Sequence, residues 1–213
     1  MDEDDQQHDH DQTPFDGFDE EDAQDAFTAP AFSPIPPLFY SEETGEPFST
    51  CIDCGTSLDE DSEYLIQKNS NGRETVFEFA ICTSCAAKLH ASYSEKSRET
   101  IVNFFADRTD PEQRARELLA EHPDGDLDTW LGHCITCGEK PQPGKGFATA
   151  ALCGGSDLVF AHAPFLICEK CEHEVNESLS PETRGEIDRF IGDNFDLPPT
   201  YAPSPDHPVT ILA

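Results

Sequence analysis

Nine cysteines stand at positions 51, 54, 82, 85, 134, 137, 153, 168 and 171, and eight of them form four Cys-x-x-Cys pairs. A Cys-x-x-Cys turn offers two thiolates from one short loop, and two such turns supply the four soft donors that surround one cation tetrahedrally. Pairs one and two are separated by 27 residues and pairs three and four by 30. Four pairs therefore suffice for two sites, and zinc, two ions per chain, is the expected cofactor. Iron is the rival, because the same four thiolates hold it. A thioredoxin-type redox role would need a βαβ setting and one reactive pair. Disulfides would need export, and Met1-Asp2-Glu3-Asp4-Asp5 has neither the basic nor the apolar region of a secretory signal. A cytoplasmic, reducing location is expected, where thiolates persist as ligands.

The flanks of the cysteines repeat. Cys51-Ile52-Asp53-Cys54-Gly55 matches Cys134-Ile135-Thr136-Cys137-Gly138, and Phe79-Ala80-Ile81-Cys82 matches Phe165-Leu166-Ile167-Cys168. Downstream, Ser92, Ser94, Arg98, Ile101, Phe104 and Asp107 match Ser178, Ser180, Arg184, Ile187, Phe190 and Asp193 at a constant offset of 86. A shared pattern that far from the cysteines implies that one whole folded unit was copied.

Each copy must bring its pairs together, and the order of elements says how. A Cys-x-x-Cys-Gly turn comes first, its glycine letting the backbone bend so that amides face the thiolates. A hairpin follows. In copy one, Tyr64–Lys68 and Glu74–Ile81 flank Asn71-Gly72, a strong hairpin signal, and Thr75, Phe77, Phe79 and Ile81 alternate with Val76, Glu78 and Ala80. In copy two, Phe147–Cys153 and Leu158–Ile167 flank Gly154-Gly155-Ser156-Asp157, and Pro164 is expected to interrupt the second strand. A helix is then expected over Ala86–Ser92 or Glu172–Leu179. A second helix follows, with Ser180 as N-cap and Pro181 at its first position. Its apolar face is expected to be Ile187, Phe190 and Ile191, and in copy one Ile101, Val102, Phe104 and Phe105. Between the copies, Asp110-Pro111-Glu112-Gln113 reads as a capping box opening a helix with a stripe of Ala115, Leu118 and Leu119, ended by Pro123-Asp124-Gly125. Trp130 is expected to pack rather than to act. Interleaved sites, with pair one meeting pair three, are the alternative to closure within each copy; a unit carrying its own hairpin and helix is expected to close its own site.

A zinc knuckle, a hairpin, and a helix starting at the second Cys-x-x-Cys resemble a treble-clef zinc finger. Phe165-Leu166-Ile167-Cys168-Glu169-Lys170-Cys171 is similar to the corresponding step in the zinc-binding domain of the ClpX unfoldase. The resemblance covers residues 51–92 and 134–178. It implies Cys51, Cys54, Cys82 and Cys85 as one ligand set and Cys134, Cys137, Cys168 and Cys171 as the other. The spacing between pairs is longer here than in that domain, and the chain has no Gly-x-x-x-x-Gly-Lys-Ser/Thr loop, so ATPase activity does not carry over. The Cys-x-x-Cys-Gly turn is also similar to that of rubredoxin, but Cys85 and Cys171 lack the following glycine. Among the remaining candidates, Cys153 is expected to be a buried hydrophobe. His133 is expected at the surface or beside the ligands rather than among them. His8 and His10 lie in an acidic tail, and His90, His162 and His173 show no ligand spacing.

Charge narrows the function. The 213 residues carry 44 Asp or Glu against 13 Lys or Arg, a net charge of −31. Residues 1–25 hold 12 acids and no base, and the first basic residue is Lys68. So charged a segment buries too little apolar surface to offset its ordering entropy, and residues 1–45 are expected to be a disordered acidic tail. Within it, Ala29 to Tyr40 interleaves Pro with Phe32, Ile35, Leu38, Phe39 and Tyr40. It reads either as a docking peptide or, as adopted here, as a linker whose aromatics pack on the first folded unit. Nucleic-acid binding needs clustered Lys and Arg, which the chain lacks. A membrane span needs about 18 consecutive apolar residues, and there are none. A catalytic zinc keeps an open position, which an all-cysteine set fills. The expectation is an α+β protein of two tandem zinc-stapled units: tail 1–45, first unit 46–108, helical linker 109–129, second unit 130–195 and Pro-rich tail 196–213. It would be a non-catalytic adaptor binding a protein partner, basic if charge decides. Nucleic-acid binding and rubredoxin-like electron transfer are the alternatives.

Overall fold

The computed structural model describes residues 31–72, 74–196 and Ile211. Their elements run β1 (Ala31–Pro34), a 3-10 turn (Pro37–Phe39), β2 (Glu63–Asn71), β3 (Glu74–Cys82), α1 (Thr83–Ser92), α2 (Glu95–Ala106), α3 (Pro111–Glu121), α4 (Leu127–Leu131), β4 (Gly146–Gly154), β5 (Asp157–Phe160), β6 (Phe165–Cys168), α5 (Glu169–Ser178) and α6 (Pro181–Asn194). Helices and strands mix as an α+β architecture.

Both hairpins form where the turn residues place them. Asn71 pairs with Glu74 across Gly72, which takes φ +68°, and one residue is extra on β3 between the partners of Asn69 and Ser70. In copy two the second strand breaks at Pro164 as expected. Its halves, β5 and β6, pair with opposite ends of β4, at 152–154 and 147–150. Gly155 closes the β4–β5 turn at φ +58°, and a Cβ there would stand 2.6 Å from the Glu60 carbonyl oxygen. Gly155→Ala combines left-handed strain with a backbone clash. A loss of about 2–4 kcal/mol is expected in urea melts, the sum of the two effects.

The two hairpins do not stand apart. β2 and β4, the first strand of each, pair antiparallel along their full length from Glu63↔Gly154 to Asn71↔Gly146. One sheet results, in the order β1-β5-β4-β2-β3, with β6 beside β4. Tyr64 lies opposite Cys82 and Phe147 opposite Cys168, so these two positions are equivalent in the copies. That equivalence centres a pseudo-twofold axis on the Gln67↔Ala150 pair.

The axis also relates the helices. Ser94 caps α2 by accepting from Ser97 N, and Ser180 caps α6 by accepting from Thr183 N, both at 3.2 Å. The two cap hydroxyls meet at 3.0 Å. Each cap's own amide then donates to the third helical residue of the other copy: Ser94 N to Thr183 Oγ1 at 3.0 Å, Ser180 N to Ser97 Oγ at 2.9 Å. A capping box normally closes within one helix; here it closes reciprocally across two.

The second helices consequently change sides. Ile187, Phe190 and Ile191 of α6 are buried with Phe77, Phe79 and Ile81 of copy one. Phe104 of α2 is buried with Leu166, Ile167 and Val175 of copy two. The expected face of α6 is the one observed. On α2, Val102 is exposed. At about 100° per residue it points away from the arc shared by Ile101, Phe104 and Phe105.

The opposite face of the sheet carries a core built from Tyr64, Ile66, Ala151, Cys153, Leu158 and Phe160. α3 and α4 cover it through Ala115, Leu119 and Trp130. Asp110 caps α3 by accepting from Gln113 N at 2.9 Å, but the Gln113 side chain turns to Glu117, so only half of the capping box forms. Residues 31–45, expected to belong to the tail, are ordered. β1 adds to β5 of the second copy, and Ile35 and Phe39 plug the core between the copies, an apolar burial that offsets the cost of ordering them. The linker reading of Ala29–Tyr40 thus holds in kind for its described part, residues 31–40, though much of the packing is against copy two. The tail readings of residues 1–30 and 197–213 fall outside the described residues, Ile211 excepted. Ile211 is buried against the cluster under α6.

Candidate metal centres

Each knuckle is built by its own backbone. In the first, Gly55 N donates to Cys51 O at 2.9 Å and Cys51 N to Thr56 O at 2.9 Å; in the second, Gly138 N donates to Cys134 O at 2.9 Å and Cys134 N to Glu139 O at 2.8 Å. Gly55 and Gly138 take φ +69° and +71°, the left-handed conformation that only glycine enters without strain. One further bond docks each knuckle on its strand, Ile52 N to Ala80 O and Ile135 N to Leu166 O. The third and fourth cysteines come from the strand–helix junction. The helices begin earlier than expected, so Cys82 and Cys168 are the N-caps of α1 and α5, and Cys85 and Cys171 lie in the first turn.

These elements gather Cys51, Cys54, Cys82 and Cys85 into one group and Cys134, Cys137, Cys168 and Cys171 into another, the sulfurs of each lying within 4.8 Å of one another. Closure is within each copy, not interleaved. Cys54 and Cys82 Sγ are 4.0 Å apart and Cys137 and Cys168 Sγ 3.8 Å. Four thiolates around a cation at about 2.3 Å stand about 3.8 Å apart by tetrahedral geometry, whereas a disulfide needs about 2.05 Å. All nine cysteines are free thiols. The donor set therefore fits a thiophilic ion of zinc's size.

The electrostatics match in outline. Cys82 N points at Cys51 Sγ and Cys168 N at Cys134 Sγ, both at 3.4 Å. The Thr56 hydroxyl, 3.2 Å from Cys54 Sγ, and its amide bring that thiol down to about 6. Burial opposes ionisation of Cys134, but the Thr136 hydroxyl and the amides of Cys168, Cys137 and Thr136 outweigh it and bring the thiol to about 7. Burial drives Cys85 and Cys171 the other way. The surroundings thus favour the thiolate at Cys54 and Cys134 and the thiol at Cys85 and Cys171. A dication stabilises all four as thiolates and displaces those protons. The two threonines escaped sequence reasoning. Their signal was a hydroxyl two residues beyond a knuckle cysteine in both copies.

The remaining candidates stand apart from both groups. Cys153 is fully buried in β4, where burial pushes its thiol up to about 12, as suits a small hydrophobe. His173 pairs with Glu177, the His90 ring packs against Tyr93, and neither His133 nor His162 joins a sulfur group. His8 and His10 fall outside the described residues. Trp130 is fully buried against Phe160, with the Arg114 guanidinium over its ring. No helix among the described residues is long and apolar enough to cross a membrane.

Comparison with protein-family models, with curated proteins and with solved structures gives no match. The likeness to a ClpX-type finger rests on the cysteine turns, the hairpin and the helix alone.

Proposed function

We propose that this chain is a non-catalytic zinc protein in which two structural Zn(Cys)₄ centres hold an acidic adaptor together. The two four-sulfur groups carry that reading, each assembled from a knuckle and the strand–helix junction of one hairpin. The order knuckle, hairpin, helix supports a treble-clef assignment for each copy. Four cysteines fill a tetrahedral shell and leave no open position for substrate, which is the mark of a structural rather than a catalytic site. Such thiolates suit a reducing, cytoplasmic setting. The net charge of −31, made more negative by a formal −2 at each centre, disfavours nucleic acid and favours a basic protein partner.

Native mass spectrometry of protein purified without chelators is expected to show two zinc ions per chain and a colourless solution. The same protein should leave DNA and RNA unshifted at low salt, and should bind a basic protein such as lysozyme with an affinity that falls as salt rises. Retardation of nucleic acid, or indifference to both salt and partner charge, would refute the adaptor role.

A second reading has one observation behind it. Cys54 and Cys137 are exposed, so each centre presents a thiolate at the surface through which an electron could pass to iron. A red protein with a reversible one-electron couple would establish it in place of zinc.

A further inference from the structure

We infer that the two centres are coupled: zinc at one site raises the affinity of the other for zinc. The inference rests on the zinc reading of both groups and deepens it. It follows from where the second helices go. Cys85, the fourth ligand of site one, lies in α1, and only Tyr93 and Ser94 separate α1 from α2. α2 reaches its own site only through the half-buried Ile101, which touches both clusters. Phe104 is buried in the cluster that contains Cys134 and Cys171, ligands of site two. Reciprocally, Cys171 lies in α5, Leu179 and Ser180 lead into α6, and Ile187, Phe190 and Ile191 are buried with Cys51 and Cys85. Each ion thus fixes a helix whose continuation forms the wall of the other ion's site.

Three further links cross between the copies. The β2–β4 ladder joins the two hairpins. Asn69 of copy one donates to Glu172 of copy two at 3.0 Å, and Glu172 adjoins the ligand Cys171. The hydroxyls of Ser94, Ser97, Ser180 and Thr183 lock the starts of α2 and α6 to each other. Ser97 and Thr183 are buried, so releasing one helix leaves polar groups of the other without partners. Binding at either site orders structure that the other needs, and by linkage the enhancement is the same in both directions. Coupling between sites in proteins commonly amounts to about 5- to 150-fold in affinity.

The test is native mass spectrometry of the full chain, stripped of metal under reducing conditions and titrated with zinc alone. At half-loading, independent sites of equal affinity put roughly half of the molecules in the one-zinc state, and unequal sites put more there. Coupling depletes that state in favour of zero- and two-zinc chains. A one-zinc share below half supports the coupling. A share of half or more, together with unchanged affinity of the remaining site in Cys85→Ser and Cys171→Ser, overturns the coupling but leaves the zinc reading intact; absence of a two-zinc species overturns both. Chelator competition on Cys85→Ser and Cys171→Ser gives the reciprocal check, each lowering the remaining site's affinity at least fivefold, by one common factor. Ser97→Ala with Thr183→Ala should shrink that factor, whereas the exchange Ser97→Thr with Thr183→Ser should restore it. Unchanged coupling in the alanine pair would remove the hydroxyl lock from the explanation.

Discussion

Stripping both ions with a strong chelator under reducing conditions is expected to abolish the cooperative melting transition and to reduce the far-ultraviolet circular dichroism. Structural zinc contributes on the order of 10–16 kcal/mol in small finger peptides. The whole net stability of a domain is about 5–15 kcal/mol, so losing two such ions exceeds what the rest can supply. The location of the sites sharpens the expectation. Cys51 and Cys85 belong to the apolar cluster under α6, and Cys134 and Cys171 to the one under α2. Without cations, both helical walls lose their inner contacts and like-charged or protonated sulfurs crowd within 4.8 Å. The core of Tyr64, Trp130 and Phe160 on the other face holds no ligand. Hydrogen exchange should therefore report loss of protection first in α1, α5 and the knuckles, and last in α3 and the centre of β4. A melting curve that does not respond to chelation would rule out structural metal at these cysteines.

The second large effect is expected at Lys68, the first basic residue of the chain. It is buried on a central strand, where apolar residues would be the ordinary choice. Its Nζ lies 2.8 Å from Glu78 Oε2, with side chains only 7% and 13% exposed, and also donates to the Tyr40 carbonyl at 2.5 Å. Glu78 in turn accepts from Glu42 N at 2.6 Å. The pair thereby fastens the N-terminal strap to the sheet. Lys68→Ala leaves a buried carboxylate without its cation, at a cost of about 3–5 kcal/mol. For a chain of this size that lowers Tm by on the order of 10 °C. Replacing both partners, as Lys68→Met with Glu78→Leu, removes the orphaned charge and should come back close to the wild-type midpoint, since buried ion pairs rarely outperform apolar isosteres. Urea melts of the three proteins decide this. A harmless Lys68→Ala, or a double variant as unstable as the single, would mean that the pair is solvated.

The residue pattern alone singled out the eight candidate ligands, both hairpins, the break at Pro164 and the caps at Asp110 and Ser180, while the division of the ligands into two groups was favoured within each copy with interleaving left open. These features are short-ranged. A Cys-x-x-Cys turn chelates by itself, a glycine at positive φ marks its own turn, and a cap acts on amides two or three residues away. The periodicity of Ile187, Phe190 and Ile191 also showed that one face of α6 is buried.

What it is buried against was decided by the tertiary structure. The apolar face of α2 (Ile101, Phe104, Phe105) resembles that of α6 (Ile187, Phe190, Ile191), and Phe79 and Ile81 have counterparts in Phe165 and Ile167, so residue types alone do not assign a helix to its own hairpin or to the other. The pairing of β2 with β4 brings Ser94 and Ser180 to one axis, and the reciprocal caps there send each helix across. Likewise β1 reads as a Pro-rich linker because its strand partner, β5, lies 123 or more residues away in the chain. Nothing in the local pattern marks Lys68 as buried; Glu78 and Tyr40 close over it only in the fold. A sequence records which surfaces must leave water; the choice among equivalent partners is made by backbone geometry over long separations, where local pattern carries no information.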